Sequence, residues 1–142
     1  MDDQARAADA APPILAIDHV GVRVRDAERA LAFYNKLGFH IVYEDRSEPV
    51  LIVRNRDGIE LNLIVNASPG EGSNVLLDMP DKHPGITHVA LRVASMDETV
   101  SRLRTLGIAI TEGPVALGPR NTSVFIRDPD DNVIELTERA ST

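Results

Sequence analysis

The chain has 142 residues, with 15 Lys and Arg against 22 Asp and Glu, a formal net charge of −7 and no cysteine. That length suits one domain, or two small modules sharing a core, and the missing thiols exclude disulfides, thiolate metal sites and a cysteine nucleophile, which fits a reducing cytoplasm. An acidic balance without any basic run excludes a nucleic-acid surface and leaves the charge to maintain solubility.

The opening "MDDQARAADAAPP", residues 1–13, puts two acids directly after Met1 and has no apolar centre. It is neither a signal peptide nor a membrane span, and it reads as a floppy tail. "IDHVGVRV", residues 17–24, then alternates as a strand does, with His19, Gly21 and Arg23 on one face and Val20, Val22 and Val24 on the other. Asp26 offers an N-cap, and Ala27, Leu31, Tyr34 and Leu37 form the apolar stripe of a helix that stops at Gly38. Three strand-like runs follow: "FHIVYEDR", "PVLIVRN" and "GIELNLIV". In the last of them Glu60 and Asn62 oppose Ile59, Leu61 and Leu63. Residues 67–85, rich in Gly, Pro and Asp, read as a linker that folds into a short hairpin.

"ITHVALRV", residues 86–93, repeats the first octet 69 positions later and keeps the histidine as His88 and the arginine as Arg92. The same offset carries the helical stripe onto Met96, Val100, Leu103 and Leu106, with a capping box over Ser95–Glu98 and a stop at Gly107. "IAITEG", "TSVFIRD" and "NVIELTE" complete the second half. Matching "GIEL" to "VIEL" sets Glu60 against Glu135 at an offset of 75, so six extra residues fall in the hairpin region around "GPVALGPRN". The chain therefore reads as one α+β domain, residues 14–139, made of two repeated βαβββ modules at 14–66 and 86–139.

Each module offers one histidine from its first strand and one carboxylate from its last, on the face turned away from its helix. Related by a pseudo-twofold axis, these faces meet in one trough, with His19, Glu60, His88 and Glu135 around a single point. Two imidazoles and two carboxylates suit one divalent ion, Ni, Zn, Co, Mn or Fe, whose charge the carboxylates neutralise. His40 and His83 have no counterparts in the repeat and read as surface residues. "DPDDN", residues 128–132, reads as a tight turn rather than a calcium loop.

Four segments, "DHVGVRV", "AFYNKLGF", "THVALRV" and "DPDDNVIEL", carry a wider likeness. From Ile14 to Arg139 the chain resembles the vicinal oxygen chelate superfamily, which includes glyoxalase I, extradiol dioxygenases, methylmalonyl-CoA epimerase, fosfomycin-modifying enzymes and bleomycin-binding proteins. The resemblance implies a U-shaped, incomplete barrel around the metal. His, Glu, His, Glu in chain order is the ligand pattern of bacterial glyoxalase I, which implies a metal-dependent lyase or isomerase acting through an enediolate. Glu135 matches its base, with Glu60 as near-symmetric partner, and Arg23 matches the arginine that binds the glutamyl end of glutathione. Ile64 stands where that family has an asparagine, so a small-molecule substrate other than a glutathione adduct stays open. Extradiol dioxygenases use two histidines and one glutamate, and remain an alternative. A non-enzymatic protein that sequesters a toxin or antibiotic is a third, though bleomycin-binding members stack aromatics and this chain has no Trp. A homodimer is expected, since modules in this superfamily pair within one chain or between two.

Overall fold

A computed structural model describes residues 3, 10–45, 47–70 and 72–140 of the chain. Most of the expected tail, residues 1–13, lies outside the described residues. The order is β1 (Val20–Arg23), α1 (Ala27–Lys36), β2 (His40–Asp45), β3 (Val50–Arg54), β4 (Glu60–Ile64), β5 (His88–Arg92), α2 (Met96–Leu106), β6 (Glu112–Leu117), β7 (Asn121–Arg127) and β8 (Val133–Arg139). Two four-stranded sheets result, ordered β1-β4-β3-β2 and β5-β8-β7-β6, each mixed because the first strand runs parallel to the last. This is the paired βαβββ arrangement, with each first strand beside its own last strand. Both β1 and β5 end up as sheet edges. No helix among the described residues is long and apolar enough to cross a membrane.

The helices form where the stripe and caps place them. Asp26 accepts the Arg29 N–H at 2.8 Å, and α1 runs out just before Gly38, whose φ of +92° suits glycine alone. Ser95 accepts the Glu98 N–H at 3.2 Å, and α2 closes on Gly107 in the left-handed region. The reciprocal half of the capping box is not made: Glu98 accepts two N–H groups of Arg102 one turn on, at 2.7 and 3.0 Å. Ala30 and Tyr34 of α1, with Met96 and Leu103 of α2, sit in one core with Val53, Leu61, Leu63, Val124, Ile126, Ile134 and Leu136.

Two expectations are corrected. Residues 67–85 contain no strand pair among the described residues. They form a single turn in which Asn74 Oδ1 accepts the N–H groups of Leu76 and Leu77. Ionic contacts hold that turn in place, since Arg127 donates to both oxygens of Asp78 at 2.6 and 2.8 Å. In the second module the strand expected at "IAITEG" begins only at Glu112 and continues through Pro114. Ile108 and Ile110 pack on the core instead, and Pro114 is tolerated because β6 is an edge strand with a register break between Glu112 and Val115.

The modules are joined by polar contacts, one of them buried. The Tyr34 hydroxyl donates to Asp128 Oδ2 at 2.7 Å, and Asp130 accepts from Arg25 and Arg29 at 3.1 and 2.9 Å. "DPDDN" is the expected tight turn: Asp128 Oδ1 accepts the N–H groups of Asp130 and Asn132, and Asp131 takes a φ of +63°. Burial pushes the Asp128 carboxyl above its ordinary range, against the hydrogen bonds from Asn132 and Tyr34.

Candidate functional site

The open face of the second sheet carries an unbroken chain of polar contacts. Thr87 Oγ1 lies 2.8 Å from His88 Nδ1, and His88 Nε2 lies 3.1 Å from Glu135 Oε1. On its far side Glu135 Oε2 accepts the Ser123 hydroxyl at 2.9 Å, and Ser123 in turn lies 2.9 Å from Thr137 Oγ1. Phe125 meets the His88 ring edge-on, with centroids 5.9 Å apart. Glu135 is buried on this face while His88 is exposed, so a fixed carboxylate stands beside an imidazole open to solvent. A His88 tautomer with its proton on Nδ1 donates to Thr87 and leaves the Nε2 lone pair for a cation.

The first sheet offers a different set. Asp18 Oδ2 lies 2.7 Å from His19 Nδ1, which fixes the proton there and leaves Nε2 open, the orientation a metal-binding imidazole needs. Ligand atoms of Asp18, His19 and Glu60 all lie within 4.8 Å of one another. Glu60 is also engaged elsewhere, since its Oε1 accepts from Arg54 Nη2 at 2.6 Å. Imidazole nitrogen beside carboxylate oxygen fits a divalent ion of borderline character.

Among the described residues no mutually close group of His, Asp and Glu includes both pairs. His19 thus meets Glu60 and His88 meets Glu135, and within one chain the four donors do not surround a single point. Arg23, four residues beyond His19 on β1, is exposed and donates from Nε to Asn66 Oδ1 at 3.1 Å. Its counterpart Arg92 is exposed as well.

Strand register also corrects the equivalence of the two glutamates. Gly21 pairs with Asn62 whereas Ala90 pairs with Glu135, so while the first strands are 69 positions apart the last strands are 73 apart. The second module is accordingly longer by four residues rather than six, and the place of Glu135 is taken in the first module by Asn62. Glu60 corresponds instead to Val133. Asn62 Oδ1 is buried without a hydrogen-bond partner.

Several site residues escaped the sequence reading. Ser123 and Phe125 share the Glu135 face by strand alternation, a signal that was available in "NTSVFIR". Asp18 and Arg54 carried no signal, because their roles arise from contacts across the sheet and along an extended segment.

The profile of the Glyoxalase/Bleomycin resistance protein/Dioxygenase superfamily matches residues 16–136. The uncharacterized protein YwkD of Bacillus subtilis is 31% identical over 131 residues, covering 87% of this chain and 96% of that protein. Virulence protein STM3117 of Salmonella typhimurium is 31% identical over 132 residues, covering 86% and 83%. The crystal structure of a glyoxalase family protein from Enterococcus faecalis superposes with a TM-score of 0.72 at 25% identity, covering 87% of this chain and 97% of that one.

Proposed function

The chain belongs to the Glyoxalase/Bleomycin resistance protein/Dioxygenase superfamily, and from that premise we propose that it is a metal-dependent lyase or isomerase of glyoxalase type. The observation that carries the reading is Glu135, held by Ser123 at one oxygen and set beside His88 at the other. The residues that would hold one divalent ion, Ni, Zn, Co, Mn or Fe, are His19 and Glu60 of the first module with His88 and Glu135 of the second. Bound there, the ion would polarise two adjacent substrate oxygens and make the neighbouring C–H acidic. Glu135 takes that proton as the C–H bond breaks and returns it to the adjacent carbon while the hydroxyl proton passes from one oxygen to the other, so the substrate is isomerised and nothing is oxidised overall. Arg23, with its guanidinium in solvent, receives a substrate carboxylate, such as the glutamyl end of a glutathione adduct.

In this reading the protein works as a homodimer in which the first module of one copy faces the second module of another. Two features support it: the free edges of β1 and β5, and the apolar side chains of Ile14, Leu15, Ile17 and Ile86, each more than four-fifths exposed beside them. Turnover of the methylglyoxal–glutathione hemithioacetal by Zn²⁺- or Ni²⁺-loaded protein tests the activity, and loss of that turnover in Glu135→Gln tests the base. A loaded wild type that leaves this substrate unchanged refutes the glyoxalase assignment.

A second reading rests on Glu60. Its Arg54 partner and its register, two residues along β4 from the Glu135 equivalent, favour a three-donor site of His19, His88 and Glu135. Two imidazoles and one carboxylate leave open positions that suit oxygen chemistry on a catechol. Oxygen uptake with Fe(II) and a catechol, unaffected by Glu60→Gln, selects this alternative.

A further inference from the structure

We propose that Ser123 and Thr137 are positioning residues that make Glu135, rather than Glu60, the working base; the inference rests on the reading of Glu135 as proton acceptor. Ser123 is fully buried on β7, and its Oγ touches both Glu135 Oε2 and Thr137 Oγ1 at 2.9 Å. A hydroxyl carries one proton, and an ionised carboxylate has none to give. Ser123 therefore donates to Glu135 and accepts from Thr137, so the relay runs in one direction. A carboxylate turns easily about its last torsion, and anchoring Oε2 from below fixes where Oε1 presents its lone pair.

The first module cannot build this relay. Ser123 pairs across the sheet with Thr137, two residues beyond Glu135; two residues beyond Glu60 stands Asn62, and it pairs with Ile52. No hydroxyl is available there. Glu60 lies against the Arg54 guanidinium instead, and a fixed cation withholds an oxygen lone pair that a base must offer. The chain thus places two glutamates on its polar sheet faces, at different register positions, and supports only one with neutral donors.

The test compares Ser123→Ala, Thr137→Val and Thr137→Ser with the wild type in two assays on the full chain. One is Zn²⁺ affinity of the metal-stripped protein by calorimetry; the other is kcat and KM on the methylglyoxal–glutathione hemithioacetal. Removing a partner one shell out from a metal-binding carboxylate weakens metal affinity or activity about 10- to 100-fold. Ser123→Ala should therefore lower kcat by that range with KM within about twofold, and weaken Zn²⁺ binding about tenfold. Thr137→Val should shift both in the same direction, and Thr137→Ser, which restores a hydroxyl in a slightly larger space, should recover both. The threonine pair alone decides the matter if Ser123→Ala does not fold. Wild-type kcat and Zn²⁺ affinity in Ser123→Ala and Thr137→Val, alongside a dead Glu135→Gln, overturn the relay and leave the base in place. Full turnover by Glu135→Gln, or Zn²⁺ binding by the wild type without turnover, removes the base and the proposal with it.

Discussion

Replacing Tyr34 by Phe deletes one oxygen at the centre of the contact between the modules. Its hydroxyl donates to Asp128 at 2.7 Å, and Asp128 is 4% exposed, so water cannot readily take its place. A hydrogen bond to a buried charged group contributes about 2 kcal/mol, which for a chain of this length is about 7 °C in Tm. The pH dependence gives a sharper check. Burial raises the folded Asp128 carboxyl above its ordinary 3.8, so the folded chain holds a proton there that the unfolded chain has released. Stability from this group is therefore fullest at low pH and falls as pH rises from 3.8 through the raised value. Losing the tyrosine donor raises that value further. The deficit of Tyr34→Phe should then grow from about 1 kcal/mol near pH 4, where a neutral hydrogen bond is lost, to about 2 kcal/mol near pH 8. Urea unfolding of both proteins at the two pH values measures it. An equal deficit at both, or none at either, refutes the account of Asp128 as a buried carboxylate sustained by Tyr34.

Arg127 beside Asp78 holds that carboxyl down at about 2, so the pair adds stability above the ordinary 3.8 that is lost as pH falls to about 2; Asp78→Asn should flatten this acid limb in thermal melts, and an unchanged slope contradicts it. Leu63 is fully buried in β4, and Leu63→Ala should cost about 3 kcal/mol, seen as a lower urea midpoint with an unchanged m-value. Arg54→Ala frees Glu60 from its cation and, with a four-donor site, should tighten Zn²⁺ binding roughly fivefold by calorimetry; weaker or equal binding speaks for the three-donor set.

The paired modules were legible because two independent periodicities agreed at every step. Both octets alternate strictly, both helices carry a stripe bounded by a cap and a glycine, and the two copies confirm one another. Register between β1 and β4 was not legible in the same way. A slip of two residues keeps every side chain on its own face, so the apolar pattern fits either alignment, and the local match of "GIEL" with "VIEL" selected the wrong one. The histidines could be named since they are chemically conspicuous and repeated, and the glutamates since each stands conspicuous on the polar face of a last strand. Ser123 is a small hydroxyl with no counterpart in the other copy, and only the alternation of β7 placed it on the working face. The proline at 114 obscured β6, whose edge position relieves it of one row of backbone hydrogen bonds.

The mismatch in offset between the first and last strands has a bearing on how such a molecule acquires new chemistry. A strand lying on a common core can be indexed against its neighbour like a vernier scale, two residues per notch. Each notch returns leucine to the interior, as Leu61 and Leu63 match Ile134 and Leu136, yet presents a different polar residue to the same point outside. One notch separates Asn62 from Glu60. A single change of notch, taken up by two residues in the flanking turns, therefore alters charge and donor type at a site in one step, without disturbing the layer that keeps the protein folded.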